Sequence, residues 1–380
     1  MAETVNWEKL RELAAFRAEK GRAISVYLDL NPSVSPTAGE SQTRVHSLLD
    51  EGERADGADS SKLTHEQREA LRSDFERIRR FFEDELDRDG ARGAAVFSAG
   101  LDDAWTTLML TESVPDRVAI GRQFHLAPLV PLVGRGTGAI VAVVGREAGE
   151  LFGLRGGRLH ELADLSGEAP RRHDQGGRSQ ARNQRHVDEL AKDHLRTVAD
   201  ELDRQVRRLR SPRVVIVGPE EMRAEFADLI SSAVRDVVLG STQAESHASP
   251  TELLEVVSPL LEGARVDEER ETLERWRAEA GRGERASSGW AETLQAASDA
   301  RVETLLYQDG VDRSICQCPA CGRLSLAVGK CPLDDTPMEQ REDGLDLAVH
   351  QALAQGGTVL AVQHHQDLDP VEGIGAVLRY

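Results

Sequence analysis

All four cysteines of the chain lie within sixteen residues. Cys318 and Cys321 form a Cys-x-x-Cys knuckle, a spacing that directs two thiolates at one tetrahedral metal ion. Cys331 and Asp334 have the same spacing with a carboxylate in place of the last thiolate, and zinc accepts oxygen ligands. The sequence therefore predicts a structural zinc site made by Cys318, Cys321, Cys331 and Asp334, with Cys316 as the alternative fourth ligand.

A redox-active pair is the other common use of a Cys-x-x-Cys motif. This pair does not lie between a strand and a helix, the placement that lowers the pKa of a catalytic thiol. The start of the chain reads as an amphipathic helix and not as a signal peptide, so we expect a cytoplasmic protein without a disulfide framework. The zinc ion is then expected to stabilise a small β-hairpin at residues 316–334 and to do no chemistry.

A second unusual stretch, residues 171–186, reads RRHDQGGRSQARNQRH. Long polar connections inside compact domains are either disordered or functional. Adjacent glycines allow the backbone to approach another surface closely, and arginines suit phosphate contacts. Gln180 adds a neutral amide, which can orient a water molecule and hydrogen-bond an oxyanion when the electrophile is already activated. The ester that joins a peptide to tRNA is such an electrophile.

Other sites fit this stretch poorly. Residues 177–181 nearly match the Gly-x-Ser-x-Gly nucleophile elbow, but the preceding GEAPRRHDQ cannot form the buried strand that an elbow requires. The stretch contains neither a P-loop nor a Gly-x-Gly-x-x-Gly motif after a strand. For the arginines, a solvated helix face remains the alternative interpretation.

Composition limits the class of partner. The net charge of −19 argues against a general nucleic-acid binder, because counterion release needs clustered positive charge. Residues 171–186 supply a local cluster, with five arginines against Asp174. No apolar run approaches the roughly 20 residues that span a bilayer, so we expect no membrane partner.

The length of 380 residues exceeds what one core usually supports. Strand-like runs alternate with amphipathic helices, which predicts an α/β protein of three domains at residues 1–127, 128–265 and 266–380. In the second domain a long helix follows the polar stretch, and its expected buried face comprises Val187, Leu190, Ala191, Leu195, Val198, Leu202, Val206 and Leu209.

The stretch Gly176-Gly177-Arg178-Ser179-Gln180, followed by a long helix, resembles the variant Gly-Gly-Gln loop of the bacterial and archaeal relatives of the eukaryotic class I peptide chain release factor. This release-factor and Pelota superfamily includes peptidyl-tRNA hydrolases of ribosome quality control and Balon-like hibernation factors. The C-terminal GIGAVLRY is similar to the strand that ends the third domain of release factors and Pelota. A zinc-binding insertion in that domain also occurs among archaeal members. The resemblance covers the whole three-domain order.

The resemblance implies a protein that enters the ribosomal A site or the free large subunit and hydrolyses peptidyl-tRNA, with a translational GTPase among the suggested partners. Gln180 would position water, and Gly176 and Gly177 would admit the loop to the peptidyl-transferase centre. The residues expected to contact RNA phosphates are Arg178, Arg182, Arg185 and His186.

Two departures from the family pattern bear on this function. Arg178 and Ser179 separate the glycines from Gln180. The first segment contains neither Asn-Ile-Lys-Ser nor Tyr-x-Cys-x-x-x-Phe, the motifs by which the release factor reads stop codons, so we expect codon-independent action. The alternative is a non-catalytic hibernation or rescue factor that blocks the A site.

Overall fold

The computed structural model describes residues 5–35, 37–59, 63–88, 91–135, 138–166, 180–209, 211–245 and 247–380. Within these ranges the strands form four β-sheets, which helices cover. The predicted α/β fold class is confirmed. Among the described helices, none has both the length and the apolar character needed to cross a bilayer.

The first segment is built on an antiparallel sheet of strand order β3-β2-β1-β4. A core that includes Val26, Phe75 and Val96 joins this sheet to two helices. The elements are α1 (Trp7–Ala15), β1 (Ala23–Asp29), α2 (Ala38–Asp59), α3 (His65–Arg80), β2 (Gly93–Ala99), β3 (Ala104–Leu110) and β4 (Arg117–Gly121).

Helix α2 and strand β4 are absent from the sequence-based prediction, which treats the residues after Pro32 as a polar stretch. Val45 and Leu49 are the large buried side chains on the part of α2 whose side chains are described. A Cβ atom at Gly52 would lie 2.9 Å from Cγ2 of Val118 on β4, so this helix and strand are in close contact. Packing, and not a strong apolar stripe, stabilises α2.

The middle segment has a five-stranded sheet of order β7-β6-β5-β8-β9, in which β5, β8 and β9 are parallel. Alternate residues of β5 face opposite cores: Ile140 and Ala142 contact the core that includes α4, and Val141 the core that includes α7. The elements are β5 (Ala139–Val144), β6 (Gly149–Arg155), β7 (Arg158–Asp164), α4 (Gln180–Val206), β8 (Arg213–Val217), α5 (Glu220–Leu229), α6 (Ser232–Arg235), β9 (Val238–Thr242) and α7 (Pro250–Arg282).

Two elements of this segment differ from the prediction. The single expected β-run over GELFGLRGGRL is a hairpin, β6 and β7, that turns at Gly156 and Gly157 with φ of +57° and +70°. Positive φ at both turn residues is what a two-residue hairpin of the favoured twist requires. The sequence also predicts separate helices at 250–262 and 266–279, whereas α7 continues through both ranges.

The third segment contains a four-stranded sheet of order β10-β16-β11-β15 and a small sheet of order β13-β12-β14. The small sheet lies in sequence between β11 and α9, where the predicted cysteine-rich insertion falls. The elements are β10 (Ala286–Ser288), α8 (Gly289–Ser298), β11 (Val302–Gln308), β12 (Ile315–Gln317), β13 (Leu324–Ser325), β14 (Glu339–Arg341), α9 (Gly344–Ala354), β15 (Thr358–Val362) and β16 (Ile374–Leu378).

The chain divides into two compact units, Gly136–Val266 and the combination of Met1–Arg135 with Asp267–Tyr380. In the second of these, one apolar core contains residues of both chain segments, among them Leu126 and Leu129 from the first and Val349 from the third. The division of this unit into separate N-terminal and C-terminal domains stays a prediction.

A buried carboxylate joins these two chain segments. Asp346 on α9 is 3% exposed, and its Oδ1 accepts hydrogen bonds from the backbone N–H groups of Leu126 (2.6 Å) and Ala127 (2.9 Å). The Nδ1 atom of His125 lies 3.3 Å from the same oxygen, and Nε2 of His350 lies 3.8 Å from Oδ2. These contacts fix the chain just before it leaves the first segment.

The surroundings of Asp346 favour its ionised form. Burial by itself raises the pKa of this carboxyl group. The attraction of His125, hydrogen bonding to His125, the attraction of His350 and the N–H of Ala127 outweigh burial and lower the pKa of Asp346 well below its usual value. Ionised Asp346 therefore stabilises the folded state, and protonation in acid removes that contribution.

We expect Asp346→Asn to lower the free energy of unfolding by about 3 kcal/mol, because it leaves buried histidines without their anion. The deficit relative to the natural protein should be complete above about pH 4 and shrink as the pH falls below the pKa of an unfolded aspartate. Urea unfolding between pH 3 and pH 6 measures it, with Asp369→Asn at an exposed position as the matched control. A deficit that is equal at pH 3 and pH 6 would contradict the electrostatic explanation.

Candidate functional site

The structure describes only part of the predicted glycine loop. Gly176, Gly177 and Arg178 lie outside the described residues. Gln180 is the first residue of α4, and the next two turns of this helix contain Arg182, Arg185 and His186. The side chains of these helical residues are outside the described part. For Gln180 the structure therefore gives the backbone position, at the start of a helix.

The described buried side chains of helix α4 lie in its second half. Among the residues of α4 whose side chains are described, the fully buried ones begin at Leu195 and continue with Val198 and Leu202. A Cβ atom at Gly149 would lie 2.7 Å from Val198 Cγ2, so strand β6 and the helix are in close contact there. At 1.5 Å per residue, Gln180 lies about 22 Å along the helix from Leu195.

The predicted burial of two leucines on the apolar face of α4 is wrong. Leu190 is 40% exposed, and Leu209 is 36% exposed beyond the end of the helix. Leu195, Val198, Leu202 and Val206 are buried as expected, whereas Ala191 is half-buried. The apolar period marks one face of the helix, but only the part that lies against the sheet is covered.

The cysteine cluster is well described. The ligand atoms of Cys318, Cys321, Cys331 and Asp334 all lie within 4.8 Å of one another. Cys318 Sγ is 3.5 Å from Asp334 Oδ2, and the sulfur atoms of Cys321 and Cys331 are 3.5 Å apart. Three sulfur donors and one carboxylate can therefore hold a metal ion.

Two similar turns bring these four side chains together. The N–H of Gly322 donates to the carbonyl of Cys318 (2.9 Å), and the N–H of Asp335 donates to the carbonyl of Cys331 (3.0 Å). Both closing residues have positive φ, +77° at Gly322 and +56° at Asp335. The two Cys-x-x-ligand sequences thus form two knuckles of the same backbone shape, each presenting two donors.

Cys316, the alternative fourth ligand, is outside this group. It lies in strand β12, is buried, and pairs across the small sheet with Ser325 and Gln340. Asp334 occupies the fourth position, and its Oδ1 also accepts a hydrogen bond from the N–H of Thr336 (3.0 Å).

Hydrogen bonds shift the pKa values within the cluster in opposite directions. The N–H of Cys321 donates to Cys318 Sγ (3.5 Å) and lowers the pKa of the Cys318 thiol. The N–H of Thr336 lowers the pKa of Asp334 to about 2. The N–H of Arg323 favours the Cys321 thiolate, but burial and the neighbours Cys318, Cys331 and Asp334 raise the pKa of Cys321 to about 12. A metal ion binds thiolates and not thiols, so a bound cation would favour deprotonation of Cys321.

Sequence reasoning missed a second group of polar side chains in the third segment. A cavity of about 440 Å³ lies where β11 and β15 end, and its lining residues are Gln308, Asp309, Val362, Gln363, His364, His365 and Gln366. Two adjacent histidines after the expected strand TVLAVQ were the signal in the sequence. Their partner, Glu269 on α7, is far away in sequence, so only the folded chain reveals the cluster.

Comparisons with known proteins agree on one superfamily. Residues 125–261 match the model of bacterial archaeo-eukaryotic release factor family 10. Peptide chain release factor subunit 1 of Methanocaldococcus jannaschii is 21% identical, and the similarity covers 98% of this chain and 96% of that protein. The same-named protein of Methanobrevibacter smithii is 24% identical over 53% of this chain and 50% of its own length.

Solved structures of the same superfamily are also similar to this chain. The archaeal translation termination factor aRF1 is 16% identical, with 99% of each chain covered and a TM-score of 0.26. Pelota of Archaeoglobus fulgidus is 16% identical, with 73% of this chain and 76% of that chain covered and a TM-score of 0.37. Because both TM-scores are below 0.5, these likenesses support no functional assignment.

Proposed function

We propose, from the premise that this chain is a member of the release-factor and Pelota superfamily, that it binds the ribosome without reading a codon and hydrolyses peptidyl-tRNA in rescue or quality control. The observation that supports this function is the placement of Gln180. It begins a helix directly after the Gly-Gly-x-x sequence, about 22 Å along the helix from Leu195, the first fully buried side chain among those described. In this proposal the protein acts in the cytoplasm, in the A site or on the large subunit, with a translational GTPase as a further partner.

In the proposed reaction, the amide of Gln180 orients a water molecule toward the ester carbon of peptidyl-tRNA. The water oxygen bonds to that carbon, the ester C–O bond breaks, and the tRNA 3′ oxygen leaves with a proton. The amide can also donate a hydrogen bond to the oxyanion that develops on the carbonyl oxygen. Gly176 and Gly177 have no side chains, which allows the backbone to approach the peptidyl-transferase centre closely.

A non-catalytic hibernation or rescue factor is the second candidate function. Two residues, Arg178 and Ser179, separate Gln180 from the glycines, and Gln180 already belongs to α4. A glutamine fixed at the start of a helix can mark the end of a loop that only fills the A site. The two functions differ in whether Gln180 is needed for peptide release.

We expect Gln180→Ala to leave ribosome affinity nearly unchanged and to slow peptide release by about 10²-fold, since an oxyanion-type donor acts mainly in the transition state. Labelled peptidyl-tRNA on isolated large subunits gives the rate, with binding measured in parallel. Gln243→Ala, an exposed glutamine of the same unit, is the matched control. If the natural protein binds but releases no more peptide than Gln180→Ala, the hydrolase function is wrong and the A-site blocking role is supported.

Ribosome binding should depend strongly on salt despite the charge of −19, because a local arginine cluster contacts the RNA. We expect the double charge reversal Arg182→Glu and Arg185→Glu to weaken co-sedimentation with ribosomes. The slope of log binding constant against log salt concentration should also fall by about 1 for each RNA phosphate that the variant no longer neutralises. The control is the double charge reversal Arg204→Glu and Arg207→Glu near the C-terminal end of α4, where both arginines pair with acidic neighbours. Equal effects of the two double reversals would mean that the first pair has no special role.

We propose zinc as the metal of the Cys318, Cys321, Cys331 and Asp334 cluster. Three thiolates in a closed set of four ligands are typical of a structural zinc site. The four donors belong to two knuckles that are separate in sequence, so the metal joins them across the insertion. This site supports the fold of the third segment and takes no part in the proposed hydrolysis.

Purified protein should contain about one zinc per chain. Cys318→Ser and Asp334→Ala should each lose it, because removing one of four ligands opens the site, whereas Cys316→Ser should retain it. Elemental analysis in reducing buffer measures the metal, and limited proteolysis reports whether the insertion has loosened. Retention of zinc by Asp334→Ala together with its loss in Cys316→Ser would identify Cys316 as the ligand instead.

A further inference from the structure

The cavity at the ends of β11 and β15 has the position of a ligand site. These strands are parallel neighbours, so their carboxyl ends lie at the same edge of the sheet. Crevices outside the carboxyl ends of parallel strands are where open α/β sheets usually bind ligands. Gln308 and Asp309 follow one strand, and residues 363–366 follow the other.

A buried carboxylate from α7 organises one wall of this cavity. Glu269 is 4% exposed and accepts hydrogen bonds from the backbone N–H groups of Gln363 (3.2 Å), His364 (2.9 Å) and His365 (3.1 Å). Nδ1 of His364 and Nδ1 of His365 each lie 3.0 Å from one of its oxygens. Burial raises the pKa of Glu269, but these hydrogen bonds outweigh burial and lower it.

This arrangement fixes the tautomer of His365. A carboxylate can only accept, so Nδ1 of His365 carries the proton and donates to Glu269. In the neutral ring, Nε2 is then a hydrogen-bond acceptor. Since His365 lines the cavity, the wall contains an oriented imidazole acceptor whose position is set by a buried anion.

Apart from the histidines, the polar lining groups are the carboxylate of Asp309 and the amides of Gln308, Gln363 and Gln366, which both donate and accept. Asp309 contributes an exposed carboxylate, and Oε1 of Gln308 is shielded from solvent and accepts no hydrogen bond in the described part of the chain. None of the seven lining residues is lysine or arginine. The guanidinium group of Arg135 donates to the side-chain oxygen of the lining residue Gln363 and also pairs with Glu112. Arg277 pairs with Asp367, next to the lining residues.

The geometry points to a binding site for a cationic nitrogen group, an alkylguanidinium or an alkylammonium. Such a group supplies a donor to His365 and a positive charge to Asp309. An anion would meet the exposed carboxylate of Asp309 in a lining that contains no lysine or arginine. The group of described residues that can hold a metal is the cysteine cluster, and the cavity residues are not part of it. The ligand is therefore either a free amine or an arginine or lysine side chain of a protein.

The test uses the full chain and calorimetric titration with butylguanidinium and butylammonium. Butylurea, which has nearly the same shape as butylguanidinium but no charge, is the matched control ligand. We expect saturable binding of at least one cation and none of butylurea. Spermidine and Nα-acetyl-arginine amide are titrated next. Tighter binding of spermidine identifies a free polyamine as the ligand, and tighter binding of the arginine derivative identifies a protein side chain.

Two variants test the assignment of the cavity. Asp309→Asn keeps the shape of the side chain, removes its charge and should weaken binding of the cation at least about tenfold. Asp369→Asn makes the same charge change at an exposed residue that does not line the cavity and should have no effect. Equal binding of butylurea, preferential binding of phosphate, or no saturable binding of any cation would overturn the proposal. None of these results depends on peptide release, so the proposed hydrolase function is tested separately.

Discussion

The buried carboxylate of Asp346 is the contact on which the larger compact unit depends. It accepts two backbone N–H groups from Leu126 and Ala127, residues more than two hundred positions earlier in the chain, and it lies between His125 and His350. A buried ion without these partners would be strongly destabilising. The first and third segments are thus joined by specific polar contacts as well as by a shared apolar core.

The first and third segments share an apolar core next to this junction, within one compact unit. Leu126 and Leu129, next to the junction, are buried in the same core as Val349 on α9. The hydroxyl group of Tyr307 also donates a hydrogen bond to the carbonyl of Ala127 (3.3 Å). The middle segment has two cores of its own, one on each face of its sheet, and can bury its apolar side chains without the rest of the chain.

Glu269 shows the same chemistry with a different result. Like Asp346, it is a buried carboxylate that backbone N–H groups and two histidines satisfy. Around Asp346 the histidines are fully enclosed, so the charge only stabilises packing. Around Glu269 the two histidines line a cavity, so the charge orients side chains that solvent or a ligand can reach. Burial of the partner, and not the pairing itself, distinguishes a structural carboxylate from one that can organise a site.

The sequence by itself determined the features that short-range patterns encode. Strands β1 and β11 and helix α9 lie where the apolar runs of the sequence predict them. Strand β16 lies where GIGAVLRY is similar to the final strand of release factors. The Cys-x-x-Cys knuckle and its Cys331 counterpart required only the spacing of donors. The resemblance to release factors rested on the Gly-Gly loop and the final strand, and it is confirmed at the level of the superfamily.

Tertiary structure decided the features that depend on distant partners. Helix α2 and strand β4 are not predicted from the sequence, and in the folded chain they are in close contact at Gly52 and Val118. Cys316 stayed an alternative to Asp334 in the sequence, whereas the fold places Cys316 in strand β12 and a turn brings Asp334 to the other ligands. Glu269 and the two histidines are about ninety-five positions apart in sequence. Local periodicity reports which face of an element is apolar, but it does not report which other segment covers that face or satisfies its charges.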